Sequence, residues 1–304
     1  MNQQHYNEYH TPALLNETLE ALRVISDGTY VDVTLGGGGH TSGILELLAN
    51  GRLIAFDQDA DAAQNLPDDG RVVFVRHNFK FLRNFLRYLG VSAVDGILGD
   101  LGVSSHDFDV AERGFSFRFD APLDMRMNRQ QHLTAADVIN GYSEADLSRV
   151  LRQYGEVEQA DRLARRLVAA RKRQPLSTSA QLRECIGNLL PPNREAKYLA
   201  KVFQALRIET NGELDALKEL LQQGSQALKT GGRFVVITYH SLEDRLVKNF
   251  FRAGNFTGIV EKDFFGNISG ALRPVNRKVI TPAEGEVARN PRARSAKLRI
   301  AEKL

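Results

Sequence analysis

Apolar positions change period along the first hundred residues. Leu14, Leu15, Leu19 and Leu22 recur at helical spacing, after a Thr11-Pro12 step that reads as a helix cap followed by proline in the first turn. Four short apolar runs follow, at residues 30–34, 53–56, 72–75 and 94–98, with the aliphatic, β-branched content of buried strands. The segments between them are polar, glycine-rich or long enough for a helix. Strands alternating with helices predict a parallel sheet covered on both faces. The next clear strand is residues 234–238, 136 positions beyond Leu98. Crossovers in such sheets are far shorter, so this interval predicts an inserted domain. Leu147, Val150, Leu151 and Tyr154 share one helical face there, as do Leu163, Leu167 and Ala170. The Gln174-Pro175 and Pro191-Pro192 steps break that pattern into pieces. A last crossover helix is expected over residues 213–228, ending before Gly231-Gly232, and residues 297–301 alternate as an edge strand would. The predicted class is α/β: a Rossmann-like sheet domain of residues 1–110 and 211–304, discontinuous around a mainly helical domain, 111–210.

Composition narrows the classes. The 304 residues are 42% hydrophobic and 25% charged, ordinary for a globular chain. The net charge of +3 is unevenly spread. Residues 1–100 hold 7 Lys and Arg against 13 Asp and Glu; residues 141–210 hold 13 against 8, and residues 271–304 hold 9 against 3. A basic middle and tail suit a polyanionic partner, although solvated helix faces give the same count. The single cysteine, Cys185, excludes an intrachain disulfide and fits a reducing cytoplasm. The polar first ten residues lack the apolar stretch of a signal peptide, and no window has the apolarity of a membrane span. The seven histidines are scattered without metal-ligand spacing, so no metal is expected.

The most informative local feature is Asp32-Val33-Thr34-Leu35-Gly36-Gly37-Gly38-Gly39-His40, between a strand and a helical pattern. Glycines at such a turn let backbone approach a ligand closely. The dinucleotide pattern G-x-G-x-x-G fails, because Thr41 stands at its sixth position when counted from Gly36, and His40 at its third when counted from Gly38. The phosphate-loop pattern fails at Ile44, where lysine is required. The turn therefore suits a ligand without pyrophosphate, or no ligand at all. Asp57 ends the second strand, 19 residues beyond Gly38, where a carboxylate can accept from a ribose diol. Adenosine without phosphates points to S-adenosylmethionine. Asp100 ends the fourth strand, on the rim where open α/β sheets bind ligands.

At this point the chain resembles the RsmH (MraW) family, the methyltransferases of small-subunit ribosomal RNA that act on cytosine N4. The resemblance rests on His10-Thr11-Pro12, the Gly36 to His40 turn, Asp100-Leu101-Gly102-Val103-Ser104-Ser105, Glu112-Arg113-Gly114-Phe115-Ser116-Phe117 and Pro122-Leu123-Asp124-Met125-Arg126-Met127. It continues through Phe203-Gln204-Ala205-Leu206-Arg207-Ile208, His240-Ser241-Leu242-Glu243-Asp244-Arg245 and Asn290-Pro291-Arg292-Ala293-Arg294-Ser295. It implies methyl transfer from S-adenosyl-L-methionine to the exocyclic N4 of one cytidine, cytidine 1402, in 16S rRNA within the small ribosomal subunit, in the cytoplasm. It implies cofactor contacts at Gly38, Gly39, His40, Asp57, Phe79, Asp100 and Asp107, with no metal and no membrane, and it admits a homodimer. One departure stands out: Ser104-Ser105-His106-Asp107 replaces the Ser-Ser-Pro-Gln common in relatives.

The chemistry leaves the proton acceptor open. A cytosine amino group is a poor nucleophile, and many amino methyltransferases hold it with an Asp/Asn-Pro-Pro-aromatic tetrad. Asp100-Leu101-Gly102-Val103 occupies that strand end without the Pro-Pro-aromatic part, so Asp100 is the catalytic candidate and also a candidate cofactor ligand. Carbon-5 methylation needs a cysteine nucleophile; Cys185 lies in a helical run and reads as structural. His240 and Ser241 end a strand, yet Ser241-Leu242-Glu243-Asp244 also reads as a capping box. Phe79, Phe81, Leu82 and Phe85 fit a buried helix face equally well. Phe115, Phe117 and Phe119 alternate with Arg113, Arg118 and Arg126 either as base-stacking platforms with phosphate contacts or as a half-buried strand. Arg171-Lys172-Arg173 and Arg289, Arg292 and Arg294 read as phosphate contacts. A small-molecule dehydrogenase or methyltransferase, and an RNA-binding assembly factor without catalysis, are the competing classes.

Overall fold

Strands β1 (Thr29–Asp32), β2 (Arg52–Asp57), β3 (Val72–Arg76) and β4 (Val94–Asp100) form where the short apolar runs predict them. The computed structural model describes residues 12–104, 108–190, 193–261 and 270–304. Between the strands stand α1 (Leu15–Leu22), α2 (Gly39–Leu47) and α3 (Leu82–Tyr88), the first preceding β1. The chain then divides into two compact units: residues 1–102 with 214–304, and residues 103–213.

In the first unit, α9 (Glu213–Ala227) leads to β5 (Leu228–Thr238), followed by α10 (Ser241–Ala253), β6 (Leu272–Pro274), α11 (Glu284–Arg289) and β7 (Lys297–Lys303). The sheet order is β3-β2-β1-β4-β5-β7-β6. The five strands β1 to β5 run parallel, with Tyr30 opposite Leu53 and Gly96, and Ile97 opposite Phe234. Side chains alternate across the sheet. Val31, Phe56, Ile97 and Phe234 pack with Leu82, Leu217, Leu220 and Val247 on one face; Tyr30, Leu53, Leu98 and Val235 pack with Leu14, Leu22 and Ile44 on the other. Burial on both faces explains why the strands read as continuous apolar runs.

Four local expectations change. α1 starts at Leu15 with Leu14 in the N-cap position, so Pro12 precedes the helix, and Thr11 lies outside the described residues. β1 stops at Asp32, because the Asp32 carboxylate accepts from the Thr34 N–H at 3.1 Å and turns the chain. β5 begins at Leu228, so Gly231-Gly232 lie inside it; the register of β4 against β5 shifts between Val94 and Gly96, and a bulge there accommodates the glycines. β7 is not an edge strand. It is antiparallel to β5 and carries β6 on its outer side. The three-residue β6 ends in Pro274, which suits an edge because proline cannot donate to a ladder.

The second unit is mainly helical: α4 (Ala135–Gly141), α5 (Glu144–Gly155), α6 (Ala160–Arg171), α7 (Ser179–Ile186) and α8 (Glu195–Asn211). Leu147, Val150, Leu163, Leu167, Val202 and Leu206 build its core. Thr134 and Thr178 start α4 and α7 with reciprocal capping boxes.

Candidate functional site

The sheet order reverses direction at β1. The chain moves outward from β1 through β2 to β3, then returns to place β4 on the other side of β1. In open α/β sheets the crevice at the carboxyl ends of such a strand pair binds ligands. Here those ends carry Asp32 and Asp100. Thr34 joins them: its hydroxyl accepts from the Asp100 N–H at 2.7 Å, while Asp32 accepts from the Thr34 N–H. Asp32 is fully buried and also accepts from the Thr41 hydroxyl at 2.8 Å. Burial lifts its carboxyl to about 6, against the pull of His40 when that ring is charged and of the Thr41 and Thr34 donors.

The glycine turn lies beside this pair. Gly38 opens α2 with φ +77° and has no side chain with which to cap it, and the N–H groups of a helix start suit an anionic group. Gly39 lets Pro12 approach: a Cβ there would stand 2.8 Å from the proline Cγ. His40 is buried, with Nε2 3.1 Å from the Ala13 carbonyl and Nδ1 3.6 Å from Asp100 Oδ2. Burial pushes its pKa down, so the ring is neutral at pH 7. Nε2 then donates to Ala13, and Nδ1 presents a lone pair to Asp100.

Asp100 is perturbed more strongly than Asp32. Its Oδ1 accepts from the Tyr239 hydroxyl at 2.8 Å. Burial raises its pKa to about 7; the Tyr239 hydrogen bond opposes that rise and the charge of Glu243 adds to it.

Asp57 sits against the same turn. Its Oδ2 accepts from the Gly36 N–H at 2.9 Å, and its Oδ1 accepts from the Asp59 N–H at 2.8 Å. Asn65 closes the turn from the other side, donating to the Gly36 carbonyl at 2.8 Å. Phe79 begins the short turn after β3, half-buried, and Asn78 beside it donates to Gln58 at 2.7 Å. Gly38, Gly39, His40, Asp57, Phe79 and Asp100 are thus gathered at the carboxyl ends of β1 to β4. Asp107 lies outside the described residues. Asp32, Thr34, Asn65 and Tyr239 belong to the same rim; Asp32 and Thr34 stand in the glycine-turn segment with no role given by the sequence, and Asn65 and Tyr239 are not marked by it at all. An acid ending the first strand was the available signal for Asp32; the Tyr239 contact spans 139 positions and left none.

These residues fit S-adenosylmethionine. The uncapped start of α2 suits a ligand carboxylate, Asp57 beside the glycine turn suits a ribose diol, and the paired acids at the crevice suit a cation. Asp57→Ala is expected to weaken binding of that cofactor by about 1–3 kcal/mol, the worth of hydrogen bonds to a charged acceptor. Calorimetric affinity equal to wild type in a folded variant would overturn the assignment.

Burial and contacts place the remaining candidate residues. His240, not Ser241, caps α10: its ring accepts from the Glu243 N–H, and buried Glu243 accepts from the Tyr239 N–H at 2.9 Å. Arg113 is buried and donates to the carbonyls of Arg126 and Met127, and Arg126 pairs with Asp124 at 2.7 Å, so both arginines hold their own fold together. Phe115 is buried beneath Arg113, and Phe117 packs edge-on against Phe203 at 5.5 Å. Phe119 and Arg118 remain exposed. Cys185 is half-buried against the helical core, with its thiol raised by burial and donating to the Arg166 carbonyl. Arg171 is engaged by the Ile139 carbonyl, whereas Lys172 and Arg173 are exposed, as are Arg289, Arg292 and Arg294. Among the described residues no helix is long and apolar enough to cross a membrane.

Fold and rim together define an α/β methyltransferase whose methyl donor is S-adenosylmethionine. The MraW methylase family matches residues 7–304, and the chain belongs to that family. Its relatives include a protein of Bacteroides fragilis, "Ribosomal RNA small subunit methyltransferase H", 56% identical over 296 residues and covering 97% of each chain. Proteins with the same description come from Parabacteroides distasonis, 56% identical over 97% of this chain and 98% of that one, and from Flavobacterium johnsoniae, 53% identical over 98% of both.

Proposed function

We propose that this protein methylates the exocyclic N4 of one cytidine, cytidine 1402, in the 16S rRNA of the small ribosomal subunit, in the cytoplasm. The observation that carries it is the rim: a glycine turn, Asp57 and the Asp100–His40 pair at the crevice of a chain so close to small-subunit rRNA methyltransferases. When bound, the cofactor supplies a methyl group already activated on sulfur. The protein's part is to orient the nucleophile, exclude water and take up a proton. Asp100 is the group suited to the last role. Its Oδ2 is not bound by Tyr239, and a carboxyl poised near neutrality can exchange a proton at working pH. The half-buried, packed Cys185 supports attack by nitrogen rather than a carbon-5 route. Cys185→Ala is expected to leave methyl transfer within about twofold of wild type, because amine attack needs no thiol; loss of turnover in a stable variant would favour the carbon route.

RNA holding is assigned to Lys172 and Arg173 of the inserted unit and, separately, to the C-terminal arginines of the first unit, rather than to Arg113 or Arg126. Neutralising Lys172 and Arg173 together should flatten the log–log salt dependence of RNA affinity by up to about 1.4 units, roughly 0.7 for each lost phosphate contact. A wild-type slope would mark both as solvated charges. The function is tested by mass spectrometry of small-subunit rRNA from cells lacking the protein. The expected result is one cytidine without its N4 methyl group, restored by the wild-type gene; an unchanged methylation pattern would overturn the reading. A homodimer is a further proposal, checked by light scattering of the purified chain.

A further inference from the structure

Tyr239 follows the last residue of β5, the strand beside β4. Its ring lies against Gly102, which has φ +100°; a Cβ at Gly102 would stand 3.3 Å from the ring. The backbone N–H is fixed by Glu243 at 2.9 Å, so the position of the ring is set from α10. The hydroxyl then reaches Asp100 Oδ1 at 2.8 Å. Nothing in the packing requires that hydroxyl, because a phenylalanine ring would fill the same space.

We propose that Tyr239 is a positioning residue for the methyl-transfer site: its hydroxyl occupies Asp100 Oδ1 and so fixes the carboxylate with Oδ2 beside His40, at the crevice where the sulfonium of the methyl donor binds. The proposal rests on the methyltransferase reading of this rim and adds a residue to it.

The groups around Asp100 make the hydroxyl matter. Neutral His40 from α2 offers Asp100 Oδ2 a lone pair at 3.6 Å, and neighbouring Asp32 from β1 and Glu243 from α10 are acids. Glu286 from α11 bears on Tyr239 rather than on Asp100 directly. Among the described residues Tyr239 is thus the side-chain donor that favours the charged form of Asp100. Its own pKa is raised well above the ordinary value by burial and by Asp100, so the phenol keeps its proton throughout the working range. A cation entering the crevice favours ionised Asp100, so S-adenosylmethionine should expel a proton from the fraction of Asp100 that is protonated. The neutral thioether S-adenosylhomocysteine should not.

The test compares wild type with Tyr239→Phe by calorimetry without RNA, in buffers of different ionisation enthalpy and across pH 6–9. Losing the hydrogen bond should move the pH dependence of S-adenosylmethionine affinity upward by about one pH unit, since a bond to a charged group is worth about that much. At pH 7 the variant should bind S-adenosylmethionine roughly fivefold more weakly and release more protons, converging with wild type at high pH. S-adenosylhomocysteine affinity should change little at any pH. In an Asp100→Asn background the Tyr239→Phe effect should vanish, which also covers a variant of reduced stability. Identical pH profiles and proton release, or a loss of affinity uniform in pH and shared by both ligands, would overturn the positioning role. Because no RNA is present, failure to methylate the proposed cytidine leaves this result readable.

Discussion

Gly38→Val will lose cofactor binding together with much of the stability of the first unit. A side chain that merely filled cofactor space would leave the fold intact. The structure directs the Cβ elsewhere. It would stand 2.5 Å from the Asn65 carbonyl oxygen, a backbone atom that cannot swing aside. The φ of +77° adds strain, since a β-branched residue is a poor fit to the left-handed region. Steric strain of these two kinds together costs on the order of 2–4 kcal/mol. Relief requires the 61–65 turn to move, which breaks the bond from Asn65 to the Gly36 carbonyl and unseats the glycine turn. Denaturant unfolding should show a lower midpoint with an unchanged slope, and calorimetry should show no S-adenosylmethionine binding. A midpoint equal to wild type would mean that the turn is loose and that Gly38 does not hold it together. Gly38→Ala should fall between the two, because it carries the clash without the branched side chain.

The strands were legible because burial on both faces leaves an unbroken apolar run, and β1 to β4 have that environment. The glycine turn and Asp57 were legible because they are local: a strand end, a turn and a fixed offset to the next strand end. Contacts between distant segments carried no such trace. Nothing in the sequence placed Tyr239 on Asp100 or the Asp57 carboxylate on the Gly36 N–H. Charge patterning leaves one segment open. In the sequence Arg113 and Arg126 fit phosphate contacts among aromatics or a half-buried segment alike; in the structure one is buried on carbonyls and the other is held by Asp124. A buried arginine with paired donors and an exposed one look the same in a sequence. The edge-strand reading of β7 failed for a related reason: β6 is three residues long and too short to announce itself.

Asp100→Asn should stabilise the protein above neutral pH while removing most of its methyl-transfer activity. The folded-state pKa of Asp100 is about 7, well above the ordinary carboxylate value near 4, and burial is the main cause. Below pH 4 the group is protonated in both states and costs nothing. As pH rises the unfolded chain ionises first, and the folded state loses stability until pH passes about 7. A gap of about three pH units between the two states corresponds to about 4 kcal/mol at most. The side chain is 22% exposed, and the site can relax, so about 1–3 kcal/mol is expected. Asparagine fits the site: its oxygen can accept from the Tyr239 hydroxyl, and its NH₂ can donate to the His40 Nδ1 lone pair, where the carboxylate presents a second acceptor. The melting temperature of Asp100→Asn should therefore exceed that of wild type at pH 8, with the gap closing toward pH 4. Methyl transfer should fall by about 10²-fold or more, because the amide cannot take a proton and carries no charge toward the donor. Equal melting profiles at pH 4 and pH 8 would show that Asp100 is not held near neutrality. A variant of undiminished turnover would move the proton acceptor elsewhere on the rim.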